Sequence, residues 1–450
     1  MIDKIKKFFQ GHERTVKAKK NIAASLVIKG MSMVVGFLLV RVTIDYLNKD
    51  VYGIWLTLTS LIGYFTFFEI GLGNGLKNKL AEALAVKDYA LGKIYVSTTY
   101  AILGMVILVV ATIFFIANFF IDWTVVLNTE KSLSVELRNV AFVVFGFFFI
   151  RFLIQLMNIV LLADQRPAVA NLFGPIGNLM VLILVFILTQ TTEGSLIYIS
   201  WVFSGIPVLV LVVASIYFYG TQYKHIAPSF KSVNFKYAKN LLNLGIQFFF
   251  IQIAGLIIYQ SSNLIIAQFF GTAEVTVYNI GYKYFQIITM IFSIILTPFW
   301  AAYTEAWAKD DIQWIKNSVA KLLKLWMLTG VVGIIMLLFA DQFYYLWVGD
   351  KVKVPFELSL TLLIYFMTYT FGGIYVMFIN GVGKIKIQMY SAFLGSIIFI
   401  VASIVMIKYF HWGIKSLLIA MILSNFNGII LSPIQYKKII NKTATGLWNK

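Results

Sequence analysis

NVAFVVFGFFFIRFLIQLMNIVLL, residues 139–162, is the stretch that decides the architecture. It exceeds the roughly 20 mostly apolar residues that carry a helix across a bilayer. It holds a single charge, Arg151, near its middle. A helix that is apolar on every side has no water-facing surface, so its surroundings are lipid or protein interior. Applied outward, the same test finds runs at 21–46, 53–76, 94–120, 139–162, 170–190, 195–219, 245–269, 276–303, 320–347, 356–380, 387–408 and 412–434. The expected fold class is therefore an all-α integral membrane protein of about twelve transmembrane helices.

Composition agrees. The 450 residues are 60% hydrophobic and 12% charged, with mean hydropathy +0.85. A soluble domain carries about 25% charged residues, so a chain this poor in charge could not cover a water-facing surface. Cysteine is absent, which excludes disulfides, thiolate metal sites and a cysteine nucleophile. His12, His225 and His411 all lie outside the apolar runs, so a histidine metal site or proton relay is not expected.

The net charge of +18 would raise nucleic acid as a partner in a soluble protein. Here the basic residues alternate with the spans. Segments 1–20, 77–93, 163–169, 220–244, 304–324, 381–386 and 435–450 hold most of the 37 Lys and Arg, against a handful in the intervening loops. By the positive-inside rule those segments face the cytoplasm, and both termini with them. No nucleic acid partner is expected. Lys4, Lys6, Lys7, Arg14, Lys17, Lys19 and Lys20 make a basic arm before a run too long for a cleaved signal.

Every loop is too short for an extramembrane domain. The basic segment 220–244 divides the chain into 1–220, a six-helix bundle with the basic arm, and 221–450, a second six-helix bundle. The halves are alike. Tyr46 to Tyr52-Gly53 is matched by Phe269-Phe270-Gly271 to Tyr278, and Lys87-Asp88 by Lys309-Asp310. Six helices per half preserves orientation, so the two bundles would be related by a pseudo-two-fold along the membrane normal, as in many transporters.

Charges inside spans are costly and mark function or a partner. The candidates are Lys29, Arg41, Asp45, Glu69, Arg151, Lys283, Asp341 and Lys415. Gln155 and Asn158 follow Arg151 at helical spacing and share its face. Either that face binds substrate or Arg151 pairs with a carboxylate on a neighbouring helix. Asn279 and Gln286 flank Lys283 in the same way, the alternative there being snorkelling to the outer interface. Arg41 and Asp45 read as a local ion pair. Glu69 is either a proton-titrating, ion-coupling carboxylate or a partner of Lys29 or Arg151. Asn263, with Tyr259 and Gln252 on the same helix, offers a group that binds sugar hydroxyls or bridges helices. Cations outnumber carboxylates within the spans, which favours an anionic substrate. No GxxxxGK[ST] loop, acidic pair in an outer loop, or Ser/His/Asp set is present, so neither a cofactor nor an enzymatic reaction is expected.

Three motifs carry a resemblance: Tyr46-Leu47 to Tyr52-Gly53-Ile54-Trp55, Phe68-Glu69-Ile70-Gly71-Leu72-Gly73, and Asp164-Gln165-Arg166 to Ala170-Asn171. With the twelve spans and the basic arm, the chain resembles the polysaccharide-transport branch of the multidrug/oligosaccharidyl-lipid/polysaccharide superfamily, and within it the Wzx-type flippases of O-antigen and capsule synthesis. The resemblance implies translocation of an undecaprenyl-pyrophosphate-linked oligosaccharide across the bacterial cytoplasmic (inner) membrane by ion-gradient-driven alternating access. It implies a cationic cavity that Lys29, Arg151 and Lys283 could supply. Implied partners are the lipid-linked substrate, membrane lipids, a polysaccharide polymerase and a chain-length regulator. A cation-coupled multidrug exporter of the same superfamily is the alternative. A membrane polymerase or ligase would need a larger outer loop than 121–138.

Overall fold

The computed structural model describes residues 13–65, 72–164, 166–238 and 246–449. Among the described residues every regular element is helical. With no water in the bilayer core, each backbone amide must bond within its own segment, and helices do that. Hydroxyls inside the spans follow the same rule. Thr43 donates to the Leu39 carbonyl at 2.6 Å, Thr99 to Tyr95 at 2.8 Å and Thr370 to Phe366 at 2.8 Å.

Nine described helices are long and apolar enough to cross a membrane. A tenth candidate is the pair Lys415–Ser424 and Asn427–Ile440, bent by 43°. The second and seventh expected spans account for the remainder. The second is seen as Lys49–Phe65 and Leu72–Ala85, on either side of residues 66–71, which lie outside the described residues. The seventh is Ile246–Phe270.

The chain forms two compact units. The first gathers Met1–Asn48, Thr66–Thr124 and Glu130–Ile246; the second gathers Lys49–Phe65, Val125–Thr129 and Gln247–Lys450. A cut after residue 220 does not reproduce this division, and the hydrogen bonds show why. The segment after residue 220 is stitched to the helix Tyr89–Asn118: Ser229 N–H donates to Ser97 Oγ and Asn234 N–H to Thr98 Oγ1, each at 3.0 Å. Tyr223 donates to Asp164 Oδ2 at 2.6 Å. Burial, then that bond, pushes the Tyr223 phenol up to about 12, so it remains a donor throughout the physiological range. Thr98 is fully buried, and Thr98→Val would remove the acceptor of the partly buried Asn234 amide. We expect it to cost about 1–3 kcal/mol, read as a lower unfolding temperature of the purified protein in detergent.

Conversely, the helix Lys49–Phe65 belongs to the second unit. Thr276 Oγ1 donates to the Lys49 carbonyl at 2.8 Å, and Tyr64 and Ser261 hydroxyls bond at 2.6 Å. Gly53 lies against the Thr272 carbonyl with no room for a Cβ. The second unit's core is a cluster around Phe292, Tyr303, Ile315, Ile374 and Phe378. In the first unit, Phe114 stacks on Phe145 at 4.1 Å, and buried Trp123 donates to Asn118 Oδ1 at 2.7 Å.

The internal likeness of the halves extends to backbone detail. Asn48 and Gly271 both turn the chain through positive φ, 72° and 89°. Lys87 and Asp310 do so at 59° and 53°. The residue after each caps the next helix: Asp88 accepts from Leu91 N–H, and Asp311 from Trp314 N–H, each at 3.0 Å. All three pairs share one sequence offset. The structure thus moves the expected match of Asp88 from Asp310 to Asp311, because the capping carboxylate defines the equivalence. Asp310 instead meets Lys442 at 3.3 Å.

Candidate functional site

Arg151 sits in the last turn of the helix Ser134–Ile154, which breaks at Gln155 and resumes as Leu156–Ala163. Gln155 N–H still donates to the Arg151 carbonyl four residues back at 2.9 Å, but Asn158 N–H reaches only three residues back, to Gln155 O, at the same distance. The expected polar face is therefore also a break in the span. The Arg151 side chain is exposed although its helix is apolar, and it forms no ion pair or hydrogen bond among the described residues. Asn158 Oδ1 is buried and unpaired.

Lys283, half-buried in the helix Thr272–Ala308, has its Nζ 3.4 Å from the Tyr52 hydroxyl. No carboxylate partner is present among the described residues. Asn279 uses its amide on protein, donating to Asn263 Oδ1 and the Val275 carbonyl, both at 2.8 Å. That pair joins the helices Ile246–Phe270 and Thr272–Ala308. Gln286 is exposed. The structure thus brings Asn263 and Asn279 together and sets Lys283 beside Tyr52, within the second unit. Arg151, Gln155 and Asn158 belong to the first. The Lys29 side chain and Glu69, together with Gln252, lie outside the described residues.

Of the other intramembrane candidates, Asp341 forms no ion pair among the described residues, and the rest of the described ones have partners. Lys415 Nζ meets Glu357 Oε2 at 2.6 Å. Arg41 and Asp45 each take part in an interaction of their own. Among the described cations that the sequence singled out within the spans, Arg151 and Lys283 are therefore the two without a counter-charge.

The second unit also encloses a cavity of about 560 Å³. Gln286 lines it, with Tyr259, Tyr282, Tyr365 and Tyr369 and with Gln388, Asn425 and Asn427. Most of these residues were not among the sequence candidates. The polar tripeptide Asn425-Phe426-Asn427 in the middle of an apolar span was the available signal.

Residues 18–303 match the family model described as polysaccharide biosynthesis protein. A Yersinia pseudotuberculosis protein provisionally named for O-antigen export is 22% identical over 369 residues, 79% of this chain and 81% of that protein. A Salmonella typhi protein provisionally named as an O-antigen transporter is 23% identical over 301 residues, 65% of each chain. The inward-facing conformation of a multidrug resistance MATE family transporter of the MOP superfamily aligns with TM-score 0.75 at 15% identity, over 94% of this chain and 98% of that one. This last likeness shows the fold. The family model covers more than half of the chain, and the apolar helices are those of a multi-pass membrane protein, so the chain is a membrane protein that belongs to the polysaccharide biosynthesis protein family.

Proposed function

We propose that the protein is an inner-membrane flippase that carries an undecaprenyl-pyrophosphate-linked oligosaccharide from the cytoplasmic leaflet to the opposite one. The observation that carries this reading is the pair of intramembrane cations, Arg151 and Lys283, with no carboxylate partner among the described residues. An uncompensated charge in a span is costly and persists where function needs it. A pyrophosphate supplies the missing negative charge, and its oxygens suit the planar guanidinium of Arg and the point charge of Lys. Gln155 and Asn158 follow Arg151 at the break in its helix, and the buried Asn158 Oδ1 has no hydrogen-bond partner of its own. The likeness to proteins named for O-antigen export supports an O-antigen or capsule repeat unit as cargo.

On this reading an ion gradient drives alternating access, with Glu69 as the coupling carboxylate. Both termini lie in the cytoplasm, where the basic segments place them. A polysaccharide polymerase and a chain-length regulator act next on the cargo. The test is complementation. In a strain lacking the gene, lipid-linked oligosaccharide accumulates in the cytoplasmic leaflet and surface polymer disappears; the wild-type chain restores both. Surface polymer that persists without the gene would overturn the reading. Lys415→Ala serves as the control: its partner Glu357 is solvent-exposed, so surface polymer is expected to stay at the wild-type level.

The alternative is a cation-coupled multidrug exporter, favoured by the fold likeness. A cationic drug requires carboxylates, and none lines the cavity of the second unit among the described residues. Drug susceptibility of the expressing strain should therefore be unchanged.

A further inference from the structure

The cavity of the second unit is chemically unlike the two cations. Its described lining carries no Lys, Arg, Asp or Glu. A pyrophosphate would find no counter-charge there. Its walls are instead tyrosines and carboxamides. Tyr259 and Tyr282 lie 5.7 Å apart, Tyr282 and Tyr365 6.4 Å, and Tyr365 and Tyr369 6.1 Å, so the rings form a continuous aromatic flank. The ends of that flank, Tyr259 and Tyr369, are 47% and 53% exposed.

Another part of the lining comes from the broken last span. The helix Lys415–Ser424 stops at Asn425, and the chain resumes in a π-turn at Asn427–Leu431. Such turns cost hydrogen-bond regularity and recur at functional sites. This one is held by backbone contact. A Cβ on Gly372 would lie 2.6 Å from Gly428 Cα, and one on Gly395 would lie 2.6 Å from the Ser424 carbonyl oxygen. Asn425 and Asn427 at the break, with Gln388 of the helix Lys386–Lys408, belong to the cavity lining. Asn425 Nδ2, Asn427 Oδ1 and Gln388 Oε1 are buried and form no hydrogen bond. One is a donor and two are acceptors, all on residues that line the cavity. Buried polar groups are normally satisfied, so three together need a partner.

A lipid tail or an apolar drug would leave those three atoms unpaired. A water-soluble anion or cation would find no opposite charge. A sugar ring suits both kinds of lining group: its hydroxyls donate and accept with carboxamides, and its C–H face lies against an aromatic ring. The volume falls within the range of ordinary ligand pockets.

We infer that this cavity is a subsite for uncharged sugar rings, formed by the tyrosine flank and the carboxamide side chains of Gln388, Asn425 and Asn427 that line it. This rests on the flippase reading for the identity of the cargo, but not on its cations. The subsite holds the glycan while a separate cationic group holds the headgroup.

The test uses the purified full chain in nanodiscs and two probes. One is the oligosaccharide released by mild acid from the host's lipid-linked pool, free of pyrophosphate. The other is undecaprenyl pyrophosphate without sugar. Binding of the first is followed by saturation-transfer NMR and of the second by thermal shift. The wild type should bind both. Tyr369→Ala and Asn425→Ala should weaken oligosaccharide binding at least about tenfold and leave the sugar-free lipid unaffected. Arg151→Ala should do the reverse. Tyr369 is half-exposed, so its truncation keeps the fold even where Asn425→Ala does not. The inference is overturned when the wild type does not bind the free oligosaccharide, or when Tyr369→Ala binds it as the wild type does. Loss of oligosaccharide binding in Tyr369→Ala, with Arg151→Ala still binding the sugar-free lipid, would uphold the sugar subsite and remove Arg151 from the flippase reading.

Discussion

Replacing Arg151 by Ala is expected to lower surface polysaccharide about ten- to hundredfold while leaving a folded protein in the membrane. The size follows from losing charge-assisted hydrogen bonds to a phosphate, worth about 1.5–3 kcal/mol, at about 1.4 kcal/mol per decade. The sign of the stability effect separates this from a structural role. A charge at the centre of a span costs about 2.5–3.5 kcal/mol on insertion scales, and Arg151 recovers none of it through a hydrogen bond or ion pair to described residues. Removing it should leave the unfolding temperature unchanged or raise it. A structural arginine would behave oppositely, because its deletion would strand a buried partner. Lys283→Ala is expected to act in the same direction. The measurements are polymer quantified on gels, protein level in isolated membranes, and thermal unfolding in detergent. Wild-type polymer in both variants would remove these residues from the site.

Gly53→Val is expected to abolish the folded protein altogether. Gly53 sits where the helix Lys49–Phe65 touches the Thr272 carbonyl. A Cβ there would overlap a backbone oxygen, and backbone, unlike a side-chain tip, cannot rotate away. The same contact is held by Thr276 donating to the Lys49 carbonyl and, farther along the helix, by Tyr64 bonding Ser261. Separating the helices would break these bonds together. In lipid there is no hydrophobic force to push the helices back, so close approach through small residues is what holds them. A cost above about 4 kcal/mol places this among the exceptional single substitutions. Gly271→Ala is a useful contrast: its φ of 89° is unfavourable for Ala, but the space around it is open. It should cost about 1–2 kcal/mol and leave a foldable protein. Monodisperse elution of Gly53→Val in detergent, at the wild-type amount, would refute the packing argument.

The spans were legible because bilayer thickness sets a length that no other environment demands. The internal repeat was legible in outline. Its register was not, since Asp310 and Asp311 are adjacent acids and only the bond to Trp314 N–H distinguishes the cap. The membership of the helix Lys49–Phe65 was hidden too. Loop composition points to a cut near residue 220, whereas membership is decided by contacts such as Gly53 with Thr272. The tyrosine flank went unread for a related reason. Helices surrounded by lipid and protein are apolar on every face, so their periodicity does not say which side lines a cavity.

The sequence by itself determined the class of the protein: a helical membrane body, basic on alternate loops, with more cations than carboxylates in its spans. That much follows from transfer free energy, which depends on each residue and its neighbours along the chain. The tertiary structure decided which of those charges lack partners. Lys415 and Glu357 lie far apart in sequence and meet at 2.6 Å, whereas Arg151 finds no counter-charge among the described residues. Pairing is a property of distance in space, and in a bundle of helices the separation along the chain does not predict it.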